Sequence, residues 1–145
     1  MYKVGIDRCN DYDYDKVEES VFKCIDSIEG LKNKIPSGSK ALVKVNLLKR
    51  NHPEDAVTTH PAVVEAVVKY LQRLHCKVTI GDSPGGPFNE GILKSIYKVT
   101  GIENVAKKTS CELNFDTTYK EIHYEKAKML KNMKIISVAE NADFI

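Results

Sequence analysis

The feature that most constrains this chain is the alternation of short apolar runs with longer segments of helical periodicity. The run Ala41–Leu48 is followed by a helical pattern from Val63 to Leu74, and the run Lys77–Gly81 by one from Asn89 to Val99. Strands separated by helix-length patterns are typical of βαβ units and of a parallel sheet. The sequence therefore predicts an α/β three-layer sandwich with a largely parallel, Rossmann- or flavodoxin-like sheet.

Weaker patterns predict the remaining elements. An alternating stretch at Tyr2–Asp7 indicates a first strand, and apolar residues from Val17 to Leu31 share one face of a helix that closes near Gly30. Gly101 is expected to end the helix before it. The later predictions are a short helix near Ile102–Lys107, strands at Cys111–Phe115, Tyr119–Tyr124 and Met133–Val138, and the beginning of another strand at Ala142–Ile145.

A length of 145 residues fits a single α/β domain, residues 1–145. The sequence stops where an apolar strand begins, and a complete domain usually ends after its last element has paired. We therefore expect the N-terminal fragment of a longer domain. An uncovered sheet edge tends to be hidden by self-association, so we expect either a homo-dimer through that edge or a disordered C-terminus.

The charge and the apolar content of the chain argue against two classes of partner, nucleic acids and membranes. Twenty-two basic and twenty acidic residues give a net charge of +2, without a basic run along the sequence, so we expect no nucleic-acid partner. No apolar run approaches the roughly 20 residues that cross a bilayer, and the first residues lack the apolar core of a secretory signal. We expect a cytoplasmic protein without a membrane partner.

The four cysteines, at positions 9, 24, 76 and 111, are widely separated and form no C-x-x-C pair. This spacing matches neither a ferredoxin-type cluster motif nor a zinc ribbon. We expect free thiols, no disulfide, no metal site and no cofactor in this chain.

Polar residues follow the predicted strands where a parallel sheet binds its ligands, outside the carboxyl ends of the strands. The candidates for catalysis are Lys44, His60 and Asp82. The candidates for ligand binding are Asn46, Thr58, Thr59, Ser83, Gly85 and Gly86. Because neighbouring parallel strands lie about 4.8 Å apart, the loops that leave them are expected to meet at one edge.

Each of these groups has two interpretations. Lys44 and Asn46 point to the same side of a strand, and Lys44 either pairs with Asp82 or faces an anionic or carbonyl-bearing ligand. Thr58-Thr59-His60-Pro61 is either a helix cap alone or a cap whose free N–H groups bind an anion. The glycine-rich turn after Gly81 lacks both G-x-G-x-x-G and G-K-[ST], so neither dinucleotide nor P-loop binding is supported.

Three blocks of the sequence together resemble a known family. They are KALVKVNLL, AVTTHPAVVEAVVKYL and KVTIGDSPGG, in this order, and Asn-Ala-Asp-Phe-Ile at the end resembles the approach to a later strand. The chain is similar over nearly its whole length to the N-terminal part of the family called "domain of unknown function 362". It departs from the family pattern at Val45, where a proline is common.

The resemblance implies an uncharacterised domain rather than a defined activity. Many members carry a separate ferredoxin-like segment that this chain lacks, which places any [4Fe–4S] cluster in a longer protein or in a partner, joined in cis or in trans. Three hypotheses follow: part of a redox-linked enzyme that binds a small anion or carbonyl compound at the sheet edge, a non-catalytic module that binds a ligand or partner, or polar groups that only tie loops together.

Overall fold

The computed structural model describes residues 3–28 and 31–145. Its elements, in chain order, are α1 (Tyr14–Ser27), α2 (Leu31–Lys34), β1 (Lys40–Lys44), a 3-10 turn (Pro53–Asp55), α3 (Pro61–Arg73), β2 (Lys77–Gly81), α4 (Glu90–Val99), α5 (Ile102–Thr109), β3 (Glu112–Leu113), β4 (Tyr119–His123), β5 (Asn132–Ile136) and α6 (Ser137–Glu140). The predicted α/β class is confirmed, since β1, β2 and β3 form a parallel sheet in that order.

The main core lies between this sheet and the helices that connect its strands. Ile80 in the central strand β2 is completely buried, together with Val68 of α3 and Leu93 of α4. A β-branched residue in a buried central strand suits the pleated surface and the apolar contacts on that face. A smaller cluster joins α1 to the outside of α3 through Val17 and Ala66. Helix α3 therefore packs on the sheet and on another helix.

The predicted first strand is wrong for the residues that the structure describes. Residues 3–7 are irregular, and Tyr2 lies outside the described residues. Val4 and Ile6 are 80% and 87% exposed. An alternating pattern forms a strand only where its apolar face is covered and a neighbouring edge is free to pair, and the face that carries Val4 and Ile6 is not covered.

Three other boundaries differ from the sequence predictions. Regular pairing of β1 ends at Lys44 rather than Leu48, because the following backbone groups bond to side chains of two loops. The strand predicted at Cys111–Phe115 is reduced to Glu112–Leu113. The strand predicted at Met133–Val138 turns into α6 at Ser137. Side-chain and turn interactions ended each strand earlier than apolar content predicts.

The prediction that Gly101 ends α4 is confirmed, whereas the strand predicted to begin at Ala142–Ile145 is reduced to one bridge. Gly101 directly follows Thr100, the C-cap residue of α4, and has a φ of +77°. This is the left-handed conformation that glycine adopts readily at helix ends. Phe144 forms an isolated parallel bridge with Ala41, beside the outer edge of β1. The predicted closure of the first helix at Gly30 lies outside the described residues.

Strands β4 and β5 form a separate antiparallel hairpin, which the sequence analysis did not distinguish from the parallel sheet. Its register pairs Tyr119 with Ile136 and His123 with Asn132. The short helix α6 packs on both strands, and the Thr118 and Ser137 hydroxyls hydrogen-bond across its base at 2.6 Å. The described residues include no helix long and apolar enough to cross a membrane.

Candidate functional site

The carboxyl ends of β1 and β2 meet at one edge, as the sequence predicted. Lys44, the last residue of β1, lies in register with Gly81, the last residue of β2, and this brings Lys44 beside Asp82. The Lys44 Nζ atom lies 2.9 Å from Asp82 Oδ1. The lysine side chain is 55% exposed, whereas that of Asp82 is 6% exposed. A buried carboxylate therefore holds a solvent-exposed ammonium group in a defined place.

The second oxygen of Asp82 also has a partner. Its Oδ2 atom accepts a hydrogen bond of 2.9 Å from the backbone N–H of Leu47, and Leu47 itself is completely buried. The loop after β1 is thus fixed to the loop after β2 through one carboxylate. A carboxylate that accepts a backbone N–H and an ammonium N–H is well compensated for its burial.

Asn46 and Thr59 close the long loop between β1 and α3. The Asn46 backbone N–H donates to Thr59 Oγ1 at 3.0 Å, and the Thr59 N–H donates to the Asn46 carbonyl at 3.0 Å. The Asn46 side-chain amide donates to the Val57 carbonyl at 3.1 Å. Lys44 and Asn46 are both exposed, as their alternation predicts. Their side chains have different partners, because the Asn46 amide binds a loop carbonyl whereas Lys44 pairs with Asp82.

His60 is the N-cap residue of α3. Its Nδ1 atom accepts a hydrogen bond of 3.2 Å from the Ala62 N–H, and its carbonyl accepts from the N–H groups of Val63 and Val64. Pro61 has no N–H, so the first turn of α3 has no free donor for an anion. The geometry supports the interpretation of Thr-Thr-His-Pro as a helix cap.

The ring of His60 is held by an aromatic neighbour. Tyr12 stacks on it with ring centroids 3.6 Å apart and an interplanar angle of 13°. Burial lowers the pKa of His60, and the charge of Glu54 opposes this shift more weakly. With Nδ1 accepting a hydrogen bond, the neutral ring carries its proton on Nε2.

The remaining predicted residues have different surroundings. Thr58 is buried, and its Oγ1 has no hydrogen-bond partner among the described residues. Ser83 is exposed next to Asp82. The Gly85 N–H donates to the Leu48 carbonyl at 3.1 Å, and Gly86 follows with φ of +93°. Gly85 therefore joins the two loops, and Gly86 takes a turn conformation that favours glycine.

Tyr97 and Asn114 complete the interior side of this edge, and the sequence analysis missed both. The Tyr97 hydroxyl donates to the Asn114 carbonyl at 2.8 Å, and both residues are buried. Burial raises the pKa of the Tyr97 hydroxyl, and the negative charge of Asp82 adds to this effect. The available signal was a polar residue in the strand predicted at Cys111–Phe115, which brings Asn114 to the edge already occupied by Asp82.

The side chains that commonly bind metal ions are dispersed in the part of the chain that the structure describes. In residues 3–28 and 31–145, no group of three or more His, Cys, Asp or Glu side chains is arranged to hold a metal ion. The four thiols are free, and they range from exposed Cys9 to buried Cys76. His123, on β4, is exposed, and its hydrogen bonds to Asn132 and Glu125 raise its pKa.

The comparison with protein families decides the relationship of the chain. A model described as "Domain of unknown function (DUF362)" matches residues 41–145, which include β1, β2 and the Lys44–Asp82 edge. The chain belongs to this family. The family resemblance of the sequence blocks is thus confirmed, and residues 1–40, which include α1 and α2, lie outside the matched part of this DUF362 chain.

A curated relative gives a more distant match to the DUF362 chain. The "Thylakoid-associated protein sll1697" of Synechocystis sp. is 29% identical over 92 residues. The match covers 63% of the DUF362 chain and 29% of the relative, so the chain spans less than a third of the length of the relative it matches. No solved structure matches the chain.

Proposed function

We propose that the edge formed by β1 and β2 binds a small ligand with a carbonyl or carboxylate group. The observation that carries this proposal is the exposed ammonium of Lys44, held by the buried carboxylate of Asp82. An ammonium group has three N–H donors. One is directed to Asp82, and no other protein partner of Lys44 occurs among the described residues, so two donors face a ligand or water.

The pairing also favours one class of ligand. Asp82 offsets the positive charge of Lys44, so the edge offers hydrogen-bond donors with little net charge. A carbonyl oxygen or a single carboxylate suits such a site better than a multiply charged phosphate, which would lie close to the Asp82 carboxylate. The exposed Ser83 hydroxyl supplies a further polar group beside it. Asn46, Thr59 and Gly85 hold the surrounding loops.

A binding role is better supported than a catalytic one. Asp82 is almost fully buried behind Lys44, and the Nδ1 atom of His60 is occupied by the helix cap. Of the three catalytic candidates, Lys44 is the one with a half-exposed reactive group. We therefore favour a ligand-binding module, and a redox-linked enzyme would draw its electron-transfer group from an iron–sulfur domain in cis or in trans, as the family resemblance implies.

Replacing Lys44 with methionine tests the proposal. We expect K44M to weaken the binding of pyruvate or acetate at least tenfold, because the donors that face the ligand are removed. The matched control is K40M, which removes an exposed lysine from the opposite end of the same strand. Chemical-shift changes of the Ser83 and Gly85 amides during NMR titration measure binding. Equal affinity in K44M, K40M and the unmodified chain, or no binding of either probe, would contradict the proposal.

The same titration with inorganic phosphate tests the preferred ligand class. We expect phosphate to bind more weakly than pyruvate, and D82N to reduce this difference because the neutral amide no longer repels the phosphate. A site that prefers phosphate in the unmodified chain would instead be a general anion site.

We also propose a cytoplasmic location and self-association, as the sequence predicts. The free thiols support a cytoplasmic location, because cysteines of a reducing compartment remain unpaired.

For self-association, the outer edge of β3 is the better surface, because Phe144 already covers part of the outer edge of β1. We expect the weight-average mass measured by light scattering to rise with concentration. A constant monomer mass would contradict dimerisation.

A further inference from the structure

The hairpin of β4 and β5 carries an exposed apolar tip. Residues 124–131 connect its strands, and the Tyr124 N–H donates to the Lys131 carbonyl at 2.7 Å, which closes the connection. Within it Met129 is 96% exposed and Leu130 is 64% exposed. Tyr124 and Tyr119 are also more than half exposed on the same hairpin. Two adjacent large apolar side chains in water form a surface that a partner or a lipid phase would cover favourably.

Positive charge is concentrated on the same hairpin. Residues 119–134 contain five lysines and two glutamates, a net charge of +3, whereas the whole chain has a net charge of +2. The rest of the chain therefore has a net charge of −1. The basic residues look scattered along the sequence because these five are interleaved with other residue types, although all of them lie within residues 120–134.

The lysines nearest the apolar tip are available for a partner. Lys131 pairs with Glu125 at 2.8 Å, Lys134 with Glu121 at 3.7 Å, and Lys120 with Glu140 of α6. Lys126 and Lys128 are exposed and have no ion-pair partner among the described residues. The tip thus combines two unpaired positive charges with two exposed apolar side chains over residues 126–130.

We propose that this tip, residues 124–131, docks the protein on an anionic lipid surface. Met129 and Leu130 enter the boundary between headgroups and acyl chains, and Lys126 and Lys128 contact the anionic headgroups. Each lysine near such a surface contributes about fivefold to binding, and apolar insertion adds a second, independent signal. Tyrosines are suited to the headgroup level because their rings are apolar and their hydroxyls remain in contact with water.

A lipid surface fits this tip better than a protein groove or a nucleic acid. The apolar residues lie on an exposed turn rather than along a helix face or a strand edge, which are the forms that protein grooves recognise. A nucleic acid would use the lysines and would leave Met129 and Leu130 in water. The sequence argument against a membrane partner concerned segments that cross a bilayer, and it does not address docking at its surface.

Vesicle sedimentation of the whole chain tests the docking proposal. We expect binding to vesicles of phosphatidylcholine with 30% phosphatidylserine, little binding to phosphatidylcholine alone, and release in 0.5 M salt. K126Q/K128Q is expected to weaken binding about 25-fold, from about fivefold per lysine, and M129S/L130S at least tenfold. The matched controls are K77Q/K98Q, which removes the same charge elsewhere, and V4S/I6S, which removes two other highly exposed apolar residues.

A fluorescence measurement separates insertion from electrostatic attraction. The chain has no tryptophan, so Leu130→Trp introduces a single reporter at the tip and Val4→Trp a single reporter elsewhere. We expect anionic vesicles to shift the emission of L130W to shorter wavelength and to leave that of V4W unchanged. Absence of vesicle binding, equal binding to neutral and anionic vesicles, or equal losses in the tip variants and controls would overturn the proposal. Binding to duplex DNA that K126Q/K128Q abolishes and M129S/L130S preserves, without vesicle binding, would assign the tip to nucleic acid instead.

Discussion

Replacing Asp82 with alanine is expected to lower the free energy of unfolding by about 2–4 kcal/mol. The larger part comes from the Leu47 N–H, which donates to Asp82 Oδ2 in a buried position and would lose its partner. A buried donor without an acceptor costs about 1–3 kcal/mol. Loss of the Lys44 pair contributes less, because the half-exposed ammonium returns to water and exposed pairs are weak. Urea unfolding followed by circular dichroism measures the change.

Two control variants separate the contributions at Asp82. D82N keeps an oxygen that accepts from Leu47 and loses the ion pair, so we expect it to cost about half as much as D82A. K44M keeps the carboxylate and its backbone hydrogen bond, and we expect a loss of about 1 kcal/mol. If D82A unfolds at the same urea concentration as the unmodified chain, the carboxylate does not hold the two loops together. If K44M is as damaging as D82A, the ion pair rather than the backbone hydrogen bond is the main contribution.

Truncation of Ile80 to alanine is expected to destabilise the fold by about 2–5 kcal/mol. Ile80 is completely buried in β2, the central strand, and belongs to the core that joins the sheet to its helices. Alanine removes methyl and methylene groups from a densely packed region, and the surrounding strands have little freedom to close the cavity.

The conservative variant I80V provides the scale for this effect. It removes one methylene, and we expect a loss of about 0.5–1.5 kcal/mol. Both variants should retain the urea dependence of the unmodified chain, because the surface exposed on unfolding changes little. Similar stabilities for I80A and the unmodified chain would mean that β2 is not the centre of the core.

The sequence predicted the parts of this fold that depend on local periodicity. The patterns around β1, α3 and β2 carry strong apolar signals, and their parallel pairing brought Lys44 and Asp82 together as expected. The segment at residues 3–7 has a similar alternation and forms no strand, because alternation does not reveal whether a neighbouring edge is free. Strands β4 and β5 were also predicted close to their observed positions, and there each strand had the other's edge to pair with.

The candidate edge was predictable in position but not in detail. Side-chain types showed that polar residues follow the strands, yet they did not show that the Leu47 N–H occupies one oxygen of Asp82. They also left two interpretations for His60, a helix cap alone or a cap that binds an anion. The hydrogen bond from the Ala62 N–H to His60 Nδ1 supports the helix cap. Backbone partners of side chains depend on loop conformation, and loop conformation has no periodic signal in a sequence.

The bridge between Phe144 and Ala41 has a kinetic consequence. On one side of β1, Lys40 lies in register with Lys77 of β2. On the outer side of β1, the Lys40 backbone N–H donates a hydrogen bond to the carboxylate of Asp143, which is 103 residues further along the chain. Closing so long a loop costs entropy before any contact compensates for it. During synthesis, β1 can therefore pair with β2 early, while its outer edge stays open until residues 143 and 144 have left the ribosome. The interval between these two events is when this strand is most available to a wrong neighbour.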